Sequence, residues 1–191
     1  MAAFLQINGL TCGVIAHRGV QEEERGALLS PEGLKKAAAF ADLCDAFSIP
    51  IISLVNTDGF ERSAGAEKEL ALAASCFVQA YANASVPKIS VITGDSFGSA
   101  VVFSGSKGLG ADLVLAWDDV KTGAMKGKYA AQITAQGQDA ENIASEAGVY
   151  DLFKNDIRTA AEHNFVDIVI RPEETRKYLA GILDMLSSKG E

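Results

Sequence analysis

The chain has 191 residues, 48% of them hydrophobic and 22% charged, which is enough apolar material to order one domain spanning 1–191 and argues against a disordered chain. Acidic side chains outnumber basic ones, 25 to 17, for a formal charge of -8. That balance argues against a phosphate-tracking nucleic-acid surface and against broad contact with anionic lipid. Cys12, Cys44 and Cys76 stand far apart, with no CxxC and no Cys/His cluster. The spacing disfavours a zinc site and predicts free, buried thiols in a reducing, cytoplasmic setting. The opening MAAFLQINGL lacks a basic n-region, and no apolar run approaches the roughly 20 residues needed to cross a bilayer, so no direct membrane insertion is expected.

In chain order, Phe4–Ile7 and Cys12–Ala16 read as short strands joined at Asn8-Gly9. Gln21–Leu29 is charged and then small, and reads as a loop; its Glu22-Glu23-Glu24 run reads as a solvated face. Ser30-Pro31-Glu32 is a helix start: a capping hydroxyl, proline at the first position, and an acid near the positive end of the dipole. Ala37, Phe40, Cys44 and Phe47 recur at helical spacing until Pro50 ends the segment. Ile51–Val55 is a short β-branched run suited to a strand covered on both faces. A loop at Asn56–Phe60 and a long helix from about Ala64 to Ala84 follow. Ile89–Thr93 is a second such strand, Gly94–Gly98 a loop, Ser99–Ser106 a helix of small residues, and Asp112–Trp117 a third strand. Toward the end, Asp139–Ala147 and Ile157–His163 read as helices and Phe165–Ile170 as a strand. Pro172-Glu173-Glu174 opens a last helix with Leu179, Ile182, Leu183 and Leu186 on one face.

The alternation of strand, loop and helix predicts an α/β fold with parallel strands and right-handed crossovers. Ligands in such folds sit where strands end and loops open into helices. This draws attention to Asn56–Phe60 and Gly94–Gly98. The side chains there offer little chemistry. There are two histidines, His17 and His163, both read as structural or solvent-facing, and no HExxH, GxGxxG or P-loop lysine. The backbone offers more. Gly98-Ser99-Ala100 leaves a buried strand and enters a helix, where the first N–H groups have no internal partner and can face an oxyanion. A plain strand-to-helix connection is the other reading of the same residues. Trp117 and the cysteines read as packing residues, and Lys126 and Lys128 either as solvated lysines or as contacts to a phosphate or carboxylate.

The stretch from Ser30 to Met125 resembles the carboxyl-terminal half of biotin-dependent acyl-CoA carboxyltransferases, including the carboxyltransferase subunits of acyl-CoA decarboxylases. The matching segments are LSPEGLKKAAAFADLCDAFSIPIISLVNTDGF, YANASVPKISVITGDSFGSA, GSKGLGADLVLAWDD and Met125. The closing AAEHNFVDIVIRPEETRKYLAGILDML is similar to that family's end, and AWDDVKTGAMKGKYAAQIT is also similar to the γ subunit of malonate decarboxylase. The resemblance implies a crotonase-like fold, a spiral of ββα units. It implies a carboxyltransferase component that moves a carboxyl group between biotin and an acyl-CoA through main-chain amides and enolate chemistry, as a carboxylase or a decarboxylase. A non-catalytic structural half-subunit is the alternative.

By position, the family's Gly-Gly-Ala turn falls on Gly98-Ser99-Ala100, whose backbone amides the resemblance makes catalytic. Its Gly-Phe falls on Gly59 and Phe60. Val102 falls where the family lines its acyl pocket, and Met125 and Lys126 lie in its substrate-binding segment. Two departures stand out. The family's Asp-x-Pro-Gly reads Asn56-Thr57-Asp58-Gly59, and its Met-Gly-Pro-Glu-Gly reads Met125-Lys126-Gly127-Lys128-Tyr129. The resemblance also implies partners: an amino-half carboxyltransferase subunit, a biotinylated carrier protein, and a homo- or hetero-oligomer.

Overall fold

The computed structural model describes residues 1–17, 27–134, 137 and 139–189. The acidic run at Glu22–Glu24 lies outside the described residues. A six-stranded sheet forms the centre, in the order β1 (Ala2–Ile7), β2 (Leu10–Ala16), β4 (Ile51–Val55), β6 (Lys88–Ile92), β8 (Leu113–Trp117), β10 (Ile168–Ile170). The first two strands form an antiparallel hairpin, and every later pairing is parallel. The hairpin turn is the expected one: Asn8 and Gly9 both have positive φ, 51° and 84°, which suits a two-residue turn matched to the strand twist.

Helices cover both faces, which is why β4 and β6 read as nearly unbroken apolar runs. On one face Ile15 and Ile51 meet Leu34, Ala38 and Ala41 of α1 (Pro31–Ala46) and Ala73 and Phe77 of α2 (Ala64–Asn83). On the other, Ile52, Ile89, Val91 and Leu115 meet Leu179, Ile182 and Leu183 of α7 (Thr175–Met185). A third cluster joins Val55, Ile92 and Ala116 to Ile157 and Ala160 of α6 (Ile157–Glu162). The caps are as the sequence dictates: Ser30 Oγ accepts from Gly33 N at 3.1 Å and Ser63 Oγ from Ala66 N at 3.1 Å.

The expected ββα unit recurs three times. After β4, β6 and β8 the chain leaves the main sheet and forms a second, shorter strand: β5 (Thr57–Phe60), β7 (Ser96–Phe97) and β9 (Thr122–Gly123). These pair in two small parallel ladders, β5 with β3 (Ala27–Leu29) and β7 with β9. Three expectations are thereby corrected. Asn56–Phe60 is largely strand, the Gly94–Gly98 loop carries a two-residue strand at Ser96–Phe97, and the Gln21–Leu29 segment ends in β3. The helix α3 closes at Phe103 (Ser99–Phe103), because Gly105 takes a φ of 102° that helix continuation forbids. A further helix, α4 (Gly127–Thr134), was not evident from the sequence pattern, and α5 runs longer than expected, Ala140–Lys154.

Cys12 and Cys44 are buried, and burial raises both thiols, Cys44 to about 11. Cys76 is exposed on α2, so the expectation of buried thiols holds for two of the three. Trp117 is half-buried against α7, its Nε1 donating to Thr175 Oγ1 at 2.9 Å. Burial and the nearby Met1 amino group lower the pKa of His17 to about 4.

Candidate functional site

The second strands of the three ββα units lie side by side at the carboxyl end of the central strands, so residues 57–60, 96–100 and 122–127 meet at one corner. Hydrogen bonds tie these segments to one another. Thr57 N donates to Ser96 Oγ at 3.1 Å, and Gly98 N to Gly123 O at 2.9 Å. Ser96 Oγ in turn donates to Gly94 O at 2.9 Å.

The turn into α3 is shaped by Gly98. Its φ of 76° and ψ of -167° form a pair open only to glycine, and a Cβ there would also stand 3.7 Å from Ala124 O. The conformation swings the next two peptides out of the β7 ladder. No acceptor among the described residues takes the N–H of Ser99 or of Ala100. Ser99 is exposed, while Ala100 is buried at 1% exposure. A main-chain N–H without an acceptor at a buried residue is a cost the fold carries, and a hydrogen-bonding ligand would relieve it.

The same geometry corrects one expectation. The Gly98 N–H is already engaged by Gly123 O, so Gly98 shapes the turn and donates nothing to a ligand. Gly59, with φ 129°, has its N–H directed at Thr57 Oγ1 at 3.3 Å, which leaves it a poor second donor. Phe60 packs its ring on Phe103 of α3, centroids 5.7 Å apart, tying β5 to the helix that carries the turn. Val102 projects from α3 at 51% exposure. Neither it nor the turn lines the cavity of about 210 Å³ among Ile15, Leu29, Leu34, Phe77 and Phe103.

Met125 and Lys126 do come to the corner. The Lys126 Nζ lies 2.8 Å from Asp58 Oδ1 and 5.6 Å from the centre of the Phe97 ring. The approach to Asp58 is close in charge but not aligned as a hydrogen bond, and Asp58 Oδ1 has no other partner. Lys126 is therefore neither freely solvated nor open to a ligand as it stands. Lys128 lies over the exposed ring of Tyr129, 4.8 Å from its centre. Among the described residues neither histidine is hydrogen-bonded to Ser99: His17 Nδ1 is buried without a partner, and His163 lies exposed beside Phe165.

Two residues that sequence reasoning missed sit behind the corner. Asn155 is fully buried; its Nδ2 donates to Met125 O at 2.9 Å and to Asp151 Oδ1 at 2.6 Å. The Asp151 Oδ1 also accepts from Gly127 N at 2.8 Å. Gly123 makes room for them: a Cβ on it would fall 2.1 Å from Asn155 Oδ1. Nothing local marks this pair, since Lys154-Asn155-Asp156 reads as an ordinary junction between helices.

The carboxyl transferase domain model matches residues 1–191, the whole chain. The chain belongs to the carboxyl transferase domain family. It is 34% identical over 203 residues to the propionyl-CoA carboxylase beta chain of Saccharopolyspora erythraea, covering all of this chain and 36% of that one. It is 33% identical over 192 residues to the methylmalonyl-CoA decarboxylase subunit alpha of Veillonella parvula, covering 100% of this chain and 37% of the relative. Among solved structures, the transcarboxylase 12S hexamer with hydrolysed methylmalonyl-coenzyme A superposes with a TM-score of 0.92 at 30% identity, over 100% of this chain and 37% of that one. The beta subunit of geranyl-CoA carboxylase from P. aeruginosa gives 0.82 at 27% identity, over 97% and 36%. The fold is thus the crotonase-like one of these carboxyltransferases, and the chain spans little more than a third of the length of the relatives it matches.

Proposed function

We propose that the chain is the carboxyl-half component of an acyl-CoA carboxyltransferase, moving a carboxyl group between biotin on a separate carrier protein and an acyl-CoA. The observation that carries this reading is the pair of unpaired N–H groups at Ser99 and Ala100, set at the end of a buried strand in a chain of this family. Two neutral donors and no adjacent base fit a ureido oxygen that gains negative charge, and they fit a reaction in which the protein supplies no nucleophile. Carried biotin, when bound, supplies the carboxyl group and that oxygen. The chain's own part is to orient the ureido group with the two N–H donors and to hold its growing charge. One such donor is worth about 3–4 kcal/mol of transition-state stabilisation.

The relatives are nearly three times as long, so the reading includes an amino-half subunit as partner, together with the biotinylated carrier and assembly into a homo- or hetero-oligomer. Among the described residues no helix is long and apolar enough to cross a membrane. Three free cysteines accord with work in the cytoplasm, a reducing compartment. The test is exchange of labelled carboxyl between carboxylated biotin carrier and a panel of acyl-CoA thioesters, with and without an amino-half subunit. Exchange that requires both the chain and that subunit is the expected result. No exchange with any thioester in the complete mixture refutes the proposal.

A further inference from the structure

Asp58 and Lys126 lie 68 positions apart in the chain, on two segments that each depart from the family pattern. The fold brings the two charges together across the corner, 2.8 Å apart, with the aspartate side chain only 13% exposed and the lysine 30%. A carboxylate that is mostly withdrawn from water and lacks an aligned hydrogen bond has one evident reason to be tolerated there, the opposite charge beside it.

The lysine is also held with unusual care. The carbonyl before it, Met125 O, accepts from Asn155, and the N–H after it, Gly127 N, donates to Asp151. The residues that flank Lys126 are thus clamped on both sides by the buried Asn155 and the half-buried Asp151, on and just beyond α5. A merely solvated lysine needs no such clamp. Its aliphatic and cationic end then lies against Phe97, the residue that immediately precedes Gly98.

Hydrogen bonds join the loops at the corner in sequence. Thr57–Ser96 joins β5 to β7, and Ser96–Lys121, Lys121–Asp95 and Gly98–Gly123 join the β7 segment to the β9 segment. Asp58–Lys126 joins β5 to the segment after β9, and so closes a ring around Phe97 and Gly98. We infer that Asp58 and Lys126 form an ionic latch that positions the Gly98–Ala100 turn, with Asp151 and Asn155 as its fixed backing. They are positioning residues: they act on the turn through Phe97 and the β7–β9 pair. The inference rests on the proposed function for its catalytic meaning, but the latch itself is a property of the fold.

The test reads amide hydrogen exchange in the full chain at Gly98, whose N–H closes the β7–β9 tie, with Val91 and Leu115 as core references. Asp58→Asn and Lys126→Met are each expected to speed exchange at Gly98 about tenfold while the core references stay unchanged. The charge-swapped pair Asp58→Lys with Lys126→Asp should return it to within about threefold of the parent. Raised salt should speed exchange at Gly98 in the parent and not in Lys126→Met. Exchange at Gly98 that is indifferent to the single changes overturns the latch, and so does a swap no better than either single change. Carboxyl exchange on the same variants separates the two readings. A parent complex without transfer whose Gly98 exchange still follows the swap refutes the proposed function and supports the latch. An active parent whose Gly98 exchange ignores the swap does the reverse.

Discussion

Ser99→Pro is the sharpest test of the amide site, because the structure allows the N–H to be removed with almost nothing else disturbed. Ser99 occupies the first position of α3, where proline is favoured and its fixed φ suits the helix. The residue before it, Gly98, has ψ at -167°, the extended range that a following proline requires. No internal hydrogen bond is lost, since the Ser99 N–H has no acceptor among the described residues. Stability should therefore hold or rise by about 0.4–1 kcal/mol, the usual gain from a compatible proline. Carboxyl transfer should fall about 10²–10³-fold, the typical loss for one oxyanion donor, with the Ala100 N–H sustaining the remainder. Ser99→Ala keeps the N–H and removes the hydroxyl, so it should retain transfer within about twofold. The assay is carboxyl exchange in the reconstituted complex, with thermal unfolding run on the same samples. A folded Ser99→Pro protein with full exchange would refute the reasoning. An equal loss in Ser99→Ala would move the chemistry to the hydroxyl and refute it as well.

Gly123→Ala should cost about 2–3 kcal/mol in a urea melt, because its methyl would fall 2.1 Å from Asn155 Oδ1 while Asn155 is fixed by its bonds to Met125 and Asp151. An unchanged midpoint would show that Asn155 is not fixed. Lys88, only 3% exposed, donates through Nζ to Tyr81 O at 2.9 Å and Ala82 O at 3.3 Å at the end of α2. Lys88→Met leaves those carbonyls unpaired and should destabilise by about 1–3 kcal/mol, read from the same melts. For His17 the folded pKa of about 4 lies below the ordinary imidazole value of 6.5, so the unfolded chain binds the extra proton between those values. Stability from this group is complete above pH 6.5, declines as the pH falls, and is lost below pH 4, by at most about 3 kcal/mol. His17→Gln should flatten that part of the stability–pH curve, and a curve identical to the parent's would show that His17 is not the group responsible.

The central strands were legible because their residues answer to one demand, burial on both faces. Ile51–Val55, Ile89–Ile92 and Leu113–Trp117 carry almost no polar side chain that would face water, and each is bounded by a turn or a proline. The helix start at Ser30 was legible for a local reason, since a capping hydroxyl acts within three residues of itself, whereas the same cap at Ser63 emerged only in the structure. The short strands β5, β7 and β9 were not. Their sequences, TDGF, SF and TG, are too short to show a period of two and hold Asp and Gly, which local preference assigns to turns. They are strands because the ends of β4, β6 and β8 already lie side by side, so neighbouring segments share their hydrogen bonds. That cause acts across the sheet and leaves no mark along the chain.

The candidate site divides in the same way. The strand-to-helix turn at Gly98 was legible, since glycine followed by small residues between a strand and a helix has a local meaning, and its positive φ emerged in the structure. Which amides remain free was not legible, because the Gly98 N–H is taken by Gly123, a residue 25 positions later. The charges followed the same rule. Asp58 alone reads as a turn aspartate, and Lys126 alone as a solvated lysine; each makes physical sense only when the other is 2.8 Å away. A single charge inserted at that half-buried corner would face a desolvation penalty with nothing to offset it. The corner therefore tolerates both charges or neither, and this gives a rule for relatives of this chain. A relative with an uncharged residue at one of the two positions should lack the charge at the other, whereas one with the signs exchanged should keep both.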